Sequence, residues 1–193
     1  MKKLLLVAMM AFGLTANAQQ RESGDIELIP YIGYSSSTFN GDQVQSLDRR
    51  NTARFGVNAD YFFNDRWSLR SGLNYDKMGT QFGSQESNLD YINIPLNANW
   101  HFGSTRKWNL NFGVTPGFLI SAEDAAGTSF KNQVESFQLG ISYGIGYKLE
   151  ISDNFSLMFD AQGLVGITDI AKSDLFDRMN VGSSFNIGGV FKL

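Results

Sequence analysis

The sequence predicts an all-β fold, an eight-stranded antiparallel up-and-down transmembrane β-barrel. Long segments alternate apolar and polar residues with a period of two, which is the pattern of strands whose two faces meet different environments. These segments are long enough for a tilted strand to cross a bilayer, which takes about 9–11 residues. The composition agrees, because 20 glycines, 16 phenylalanines and only 3 prolines in 193 residues favour a β-rich chain over a disordered one.

The N-terminal residues predict export. Lys2 and Lys3 precede an apolar run at 4–14, and Ala-Asn-Ala at 16–18 offers the small-x-small pattern of a cleavage site. The apolar run is too short to span a bilayer. We therefore expect a signal peptide at 1–18 and one barrel domain at 19–193.

Charge and composition exclude several classes of function. The formal net charge is −3, so there is no electrostatic case for binding nucleic acid. The chain has no cysteine, which leaves no disulfide framework and no thiolate chemistry. After the N-terminal run, no stretch approaches 18 consecutive apolar residues, so the sequence predicts no transmembrane helix.

The first four strands are predicted at 25–36, 52–63, 67–78 and 89–102. They are separated by long polar loops at 35–51 and 79–88 and by a tight turn at 64–66. Pro30 is awkward within the first strand, because proline in sheets is confined to edges and bulges. In chain order, the apolar faces carry Ile26, Leu28, Ile32 and Tyr34; Phe55, Val57, Ala59, Tyr61 and Phe63; Trp67, Leu69, Leu73 and Tyr75; Ile92, Ile94, Leu96, Ala98, Trp100 and Phe102.

The last four strands are predicted at 108–120, 134–150, 155–167 and 178–193. Tight turns at 103–107 and 151–154 alternate with long loops at 121–133 and 168–177. Each tight turn leads into an aromatic-x-leucine start, at Trp67, Trp108 and Phe155, so the repeating unit is a β-hairpin. The apolar faces carry Leu110, Phe112, Val114 and Phe118; Phe137, Leu139, Ile141, Tyr143, Ile145 and Tyr147; Phe155, Leu157, Phe159, Ala161 and Val165; Met179, Val181, Phe185, Ile187, Phe191 and Leu193.

The composition of the two faces predicts which one points outward. A soluble lipocalin-like barrel would turn its apolar face inward and cover its exterior with charge. Here the polar face is rich in Gly, Asn and Ser and poor in charge, which suits the crowded interior of a narrow membrane barrel. The three tryptophans, Trp67, Trp100 and Trp108, lie at the ends of tight turns, where an aromatic girdle at one membrane interface is expected. Tyr34, Phe55, Tyr75, Phe118 and Phe137 are candidates for the opposite girdle.

The last strand ends in the spacing Asn186-x-Gly188-x-x-Phe191-x-Leu193. This spacing resembles the C-terminal signal by which outer-membrane barrels are recognised for insertion, with leucine in place of the commoner terminal phenylalanine. The resemblance implies that the barrel-assembly machinery is a partner during insertion.

Taken over the whole mature chain, the pattern resembles the small eight-stranded outer-membrane β-barrels, most closely the PorT-type family of Bacteroidetes-like bacteria. The resemblance implies an outer-membrane location in contact with the lipid bilayer. No cofactor is expected. Because members have diverse roles, it implies location more than activity.

The inward-facing charges are the first candidate site. They are expected to form a lumen charge network of Glu27, Asp60, Arg70, Lys148, Asp160 and Lys192, with Arg54 and Asp76. The turn centred on Asp65 places Asp60 opposite Arg70, and closure of the barrel brings Glu27 near Lys192. These charges either line a selective pore or fill a narrow lumen, and the small room inside eight strands favours the second interpretation.

The remaining candidates are weaker. His101, the only histidine, is a candidate general base of a lipid-modifying enzyme, but it lies near a tight turn and is more simply a structural residue. Glu123, Asp124 and Glu135 lack the spacing of a calcium loop, and no transition-metal site is expected. We expect a non-enzymatic barrel whose outer loops carry any recognition. The alternatives are a small-solute channel and, less favoured, a lipid-modifying enzyme.

Overall fold

The computed structural model describes residues 21–42, 44, 47–83, 85–173, 175 and 177–193. The predicted signal peptide, 1–18, lies outside the described residues. The strands are β1 (Ile26–Gly41), β2 (Asp48–Phe62), β3 (Trp67–Phe82), β4 (Gln85–Asn93), β5 (Leu96–Phe102), β6 (Trp108–Asp124), β7 (Phe137–Glu150), β8 (Phe155–Gly166) and β9 (Arg178–Lys192). In these ranges the one helix is a 3₁₀ turn, Lys131–Gln133, and none is long and apolar enough to cross a membrane.

The strands close into an antiparallel ring. Apart from β4 and β5, each strand pairs with its neighbour along the chain, and β1 pairs with β9 to close the barrel. Strands β4 and β5 together occupy one position in the ring, between β3 and β6. The ring therefore has eight positions, and the predicted all-β barrel is confirmed.

The predicted strand 89–102 is interrupted at Ile94 and Pro95. The pairing with β6 stops at Asn93 and resumes at Leu96, across from a segment that contains Pro116. Neither proline has an N–H to donate, so the ladder cannot continue there. The Ile94 N–H instead donates to the Pro116 carbonyl at 2.9 Å.

Two of the predicted long loops are mostly strand. In place of a loop at 35–51, β1 and β2 extend until only 42–47 connects them, and β3 and β4 reduce the predicted loop 79–88 to residues 83–84. Hydrophobic alternation ends where the apolar belt ends, but backbone pairing continues beyond it. We refer below to the end with connections 42–47, 83–84, 125–136 and 167–177 as the loop end, and to the end with connections 63–66, 103–107 and 151–154 as the turn end.

The two faces of the wall are oriented as predicted. Large apolar side chains point outward, and Ile32, Leu73 and Phe112 are 72%, 61% and 57% exposed. Polar side chains point inward, and Asp60 and Asn99 are fully buried. This arrangement is inverted relative to a soluble barrel and gives the wall an apolar exterior belt.

Inward asparagines lie directly across from inward glycines. A β-carbon at Gly33, Gly56 or Gly117 would collide with the side-chain amide of the asparagine on the neighbouring strand. The lumen therefore has room for one side chain at each of these cross-strand positions. The pairs are Gly33 with Asn186, Gly56 with Asn74, Asn58 with Gly72, Asn93 with Gly117, Asn97 with Gly113, Asn109 with Gly146 and Asn111 with Gly144.

Candidate functional site: the barrel lumen and its two ends

A buried charge cluster fills the lumen at the turn end. The Glu27 carboxylate accepts from Lys148 Nζ at 2.7 Å and from Arg21 Nε at 2.8 Å. Arg21 also donates to the Arg106 carbonyl at 3.3 Å, and its guanidinium lies 4.7 Å from the centre of the Phe62 ring. All three charged side chains are nearly inaccessible to solvent, so this cluster is buried at the turn end of the lumen.

The Lys192 side chain does not contact Glu27, contrary to the expected lumen charge network. The register does pair it with Glu27, but its Nζ donates to Asp25 at 3.0 Å and the side chain is partly exposed. Glu27 pairs with Arg21 and Lys148 because the segment before β1 returns Arg21 to the lumen, while Lys192 lies at the rim. The hydrogen bond from Lys192 lowers the pKa of Asp25, which lies outside the strands.

A second layer is centred on Arg70. Its Nε and Nη2 donate to the two carboxylate oxygens of Asp60 at 2.8 and 2.9 Å, and Nη1 lies 3.7 Å from Asp160. Asn99 Nδ2 also donates to Asp60, at 3.0 Å. This bidentate geometry is the strong form of the arginine–carboxylate pair.

Towards the loop end, the next layer joins Arg54 to Asp76. Arg54 Nε lies 2.8 Å from Asp76 Oδ1, and Arg54 Nη2 donates to the Tyr31 hydroxyl at 3.1 Å. Asn93 Nδ2 donates to Asp76 at 2.6 Å. These residues border a polar cavity of about 60 Å³, which has room for a few waters.

The buried charges of these layers balance. Four carboxylates, Glu27, Asp60, Asp76 and Asp160, face four cations, Arg21, Arg54, Arg70 and Lys148. Arg21, which lies in the segment before β1, supplies the fourth positive charge. A neutral, internally paired lining gives no preference for anions or cations, unlike the charged rings of selective pores.

A cluster of buried apolar side chains, called the apolar plug below, lies at the loop end of the lumen. Its fully or nearly buried members come from the inward faces of the strand extensions and from two connections; they are Phe39, Met78, Leu89, Tyr91, Leu119, Ala122, Val134 and Ile170. The sequence did not predict this cluster. Its residues lie either in segments predicted as loops or at apolar positions on the strand faces predicted to be polar. The feature of the sequence that could have revealed the cluster was the pair of apolar residues Leu89 and Tyr91 on the inward face.

His101 is buried in the turn-end half of the lumen. Its Nε2 lies 2.9 Å from Ser68 Oγ and 3.3 Å from Asn99 Nδ2, and its ring packs on Phe62 at 4.8 Å. His101 and Ser68 are 2% and 1% exposed, so a substrate has no access to the pair. The arrangement is that of a satisfied buried histidine.

The acidic residues at the loop end do not converge. Asp124 Oδ1 accepts from the backbone N–H groups of Ala126 and Thr128 and thereby stabilises its own turn. The Glu135 backbone N–H donates to the Ile170 carbonyl. Over the described residues, no group of three or more His, Cys, Asp or Glu side chains is arranged to hold a metal ion.

The three tryptophans lie together on the outer surface at the turn end. Trp67 and Trp100 are cross-strand partners with ring centres 6.3 Å apart. Phe102 lies between Trp100 and Trp108, at 5.1 and 6.4 Å, and Trp108 packs on Tyr147 at 4.8 Å. A continuous row of five aromatic rings thus borders the apolar belt.

The C-terminal residues divide between the two faces of β9. Asn186 and Gly188 point inward and are buried, whereas Phe191 points outward and packs on Phe155 at 5.1 Å. Leu193 follows the strand, and its N–H donates to the Ile26 carbonyl at 3.0 Å. Phe191 is thus an exposed aromatic side chain on the strand that closes the barrel.

Comparison with known proteins identifies the barrel class. The family model for the outer membrane protein β-barrel domain matches residues 17–172. No curated protein sequence matches the chain.

Three solved structures share the fold. Neisserial surface protein A is 15% identical over 87% of this chain and 97% of its own, with a TM-score of 0.54. Outer membrane protein AlkL is 12% identical over 92% of this chain and 94% of its own, with a TM-score of 0.54. OprG from Pseudomonas aeruginosa is 12% identical over 92% of this chain and 99% of its own, with a TM-score of 0.50.

Proposed function

The chain belongs to the outer membrane protein β-barrel domain family, and we propose that it is a non-enzymatic barrel with a sealed lumen whose loop end carries recognition. Its location is the outer membrane, where the apolar belt contacts the lipid bilayer. The proposal adds two statements to this location. The lumen neither conducts solutes nor carries out catalysis, and the loop end faces the outside of the cell.

The observation that carries the proposal is the set of buried side chains at both ends of the lumen. The cluster of Glu27, Lys148 and Arg21 fills the turn end, and the apolar plug around Tyr91 and Leu119 fills the loop end. The cavity of about 60 Å³ lies between them. A solute would have to break paired, buried charges to pass, which is strongly unfavourable.

The same burial argues against the enzymatic alternative. Ser68 and His101 are the nearest approach to a nucleophile and a base, and both are enclosed by the wall. A lipid substrate outside the barrel would not reach them, since catalysis requires contact with the reacting atoms.

Recognition by the loop end is supported by the way its two longest connections are joined. The Glu135 N–H donates to the Ile170 carbonyl at 2.8 Å, and the Lys172 N–H donates to the Gln133 carbonyl at 3.1 Å. Val134 and Ala171 also form a β-bridge. Connections 125–136 and 167–177 thus present a joined surface, which lowers the entropic cost of binding a partner.

Solute efflux from liposomes tests the sealed lumen. We expect vesicles containing the folded protein to retain a small trapped sugar as well as protein-free vesicles do. Release that rises with the amount of inserted protein would support the small-solute channel instead.

A loop replacement tests recognition. Replacing residues 125–129 with a Gly-Ser linker leaves Val134 and the plug in place. We expect the intact protein, but not this variant, to retain a binding partner from cell-surface fractions in a pull-down. Equal retention by both proteins would exclude this connection as the recognition surface.

Export and assembly complete the proposal. We infer cleavage after Ala18, insertion by the barrel-assembly machinery through the motif ending at Leu193, and a relationship to the PorT-type barrels. The mass of the mature protein tests the cleavage, because it should correspond to a chain beginning at Gln19.

A further inference from the structure

Arg49 is a fixed cation on the outer surface of the barrel. It lies near the start of β2, and its side chain reaches across β1 towards β9. Its Nε donates to Ser36 Oγ at 2.9 Å, and its Nη2 donates to the Ser36 carbonyl at 2.7 Å and approaches Ser183 Oγ at 3.4 Å. All these acceptors are neutral, and Arg49 forms no ion pair with any carboxylate of the described residues. Its positive charge is thus positioned but not neutralised.

The neighbours of Arg49 form a polar row at the edge of the apolar belt. Ser36 is the cross-strand partner of both Asn51 on β2 and Ser183 on β9, and all three face outward. The next outward row towards the turn end contains Tyr34 and Phe185, which are 60% and 52% exposed. The cation therefore lies where lipid headgroups meet the start of the acyl chains.

A shallow, open apolar depression lies on the turn-end side of this row. It is lined by residues that include Ile32, Ile187, Val57, Pro30 and Gly189. Ile32 is four residues from Ser36, which is about 13 Å along a strand. The depression thus begins one outward row below Tyr34 and continues towards the turn end.

The depression follows from an irregularity in the seam between β1 and β9. Their pairing passes from Leu28 with Phe191 to Tyr31 with Gly188 and omits Ile29 and Pro30. Pro30 has no N–H for the ladder. Gly189 has no side chain, and the Phe155 and Phe191 rings lie against it, so close that a β-carbon there would meet them at 3.0 and 3.1 Å. The Phe155 and Phe191 rings form one wall, and the opposite wall is formed by Phe55 and Tyr75.

From these two features we propose that the seam between β1 and β9 binds one phosphate-bearing lipid of the outer leaflet. The phosphate contacts Arg49, Ser36, Ser183 and Asn51, and an acyl chain lies in the depression at Pro30 and Gly189. Arginine suits this role because its planar guanidinium donates several hydrogen bonds to a phosphate at once. The assignment to the outer leaflet rests on the proposed orientation, with the loop end outside.

Native mass spectrometry of the full mature protein in detergent micelles tests the site, with bisphosphorylated lipid A as the probe. We expect a one-to-one adduct that weakens about tenfold when the phosphates are removed. Arg49→Gln should weaken it similarly, whereas Arg66→Gln, an exposed arginine at the turn end, should not. Equal adducts from wild type and Arg49→Gln would overturn the proposal.

A second pair of variants tests the acyl-chain depression. Gly189→Leu places a side chain in the space beside the Phe155 and Phe191 rings, and we expect several-fold weaker lipid binding. Ala98→Leu adds the same side chain to the outer face of β5, on another part of the wall, and should have no effect. If the two variants bind lipid equally well, the chain does not lie in this depression.

Two further outcomes identify other occupants. Displacement of the lipid by an equal concentration of inorganic phosphate would indicate a free-anion site, and a dimer peak lost in Gly189→Leu would indicate a second copy of the chain. Either result overturns the lipid assignment. Because binding in detergent does not depend on orientation or on lumen closure, it can fail while the proposed function stands, and the reverse also holds.

Discussion

Arg70 and Asp60 are direct cross-strand partners whose side chains form two hydrogen bonds, at 2.8 and 2.9 Å, inside the lumen. Both side chains are almost fully buried. The pair agrees with the register of β2 against β3 and lies in the narrow interior. Since both charges are removed from water, each depends on the other for compensation.

Removing one partner of this pair should therefore be more damaging than neutralising both. We expect Arg70→Ala to lower the free energy of unfolding by about 3–5 kcal/mol, because it leaves the Asp60 carboxylate buried without its main partner. The double variant Asp60→Asn with Arg70→Gln keeps polar groups of similar size and should lose less. Urea unfolding in lipid vesicles, followed by heat-modifiable gel migration, measures both. A double variant less stable than Arg70→Ala would contradict this account.

Phe191 should matter for assembly more than for stability. Phe191→Asp puts a charge on the lipid face near its edge, where the penalty is far below the roughly 2–4 kcal/mol expected at the bilayer midplane. We expect this variant to fail to assemble in cells but to refold in vesicles. Phe112→Asp, in the apolar belt of β6, is the control and should refold poorly in vesicles as well. Normal cellular assembly of Phe191→Asp would remove Phe191 from the insertion signal.

The loop end should face the cell exterior. The chain has no cysteine, so single cysteines can be introduced without background. We expect Ala125→Cys and Lys172→Cys to react with a membrane-impermeant maleimide on intact cells, and Ser104→Cys and Ser152→Cys to react only after lysis. The reverse labelling pattern would invert the orientation.

The tryptophan row should lie at a membrane interface. Trp67, Trp100 and Trp108 are the only tryptophans of the chain, so intrinsic fluorescence reports on this row alone. We expect the strongest quenching from lipids brominated near the carbonyl end of the acyl chain, as for an aromatic girdle. If bromines near the chain terminus quench most strongly, the row lies in the membrane interior.

The fold was predictable because the membrane imposes one rule on every strand. Alternation such as that of Phe185 and Ile187 with Asn186 and Gly188 predicts which face is outward, since lipid and lumen lie on opposite sides of the wall. The pairing of Asp60 with Arg70 followed from counting outward from the turn at Asp65.

The predicted strand ends were wrong where this rule no longer applies. Beyond the belt both faces meet water or protein, so the extensions of β1 to Gly41 and β3 to Phe82 have no periodic signal, although their backbones still pair. The interruption at Pro95 could have been read from the missing N–H. Its counterpart Pro116 lies on β6, so the weak point becomes visible only when the strands are paired.

The site was less predictable than the wall, because it depends on which side chains meet across the lumen. Glu27 meets Arg21 from the segment before β1 and Lys148 from β7, and neither contact follows from the register of neighbouring strands. Likewise, the plug joins Val134 and Ile170 from two connections to strands on the far side of the barrel.

Single-channel recording in planar lipid bilayers tests the sealed lumen most directly. We predict no unitary conductance steps from the wild-type protein, and none from Arg54→Gln or Arg49→Gln. Arg54→Gln changes one charged layer but keeps the turn-end cluster, the Arg70–Asp60 pair and the apolar plug, and Arg49 lies outside the lumen. Reproducible steps from the wild type would contradict the account. If their size or ion selectivity changed in Arg54→Gln, inside the lumen, but not in Arg49→Gln, on the outer surface, the current would pass through the barrel.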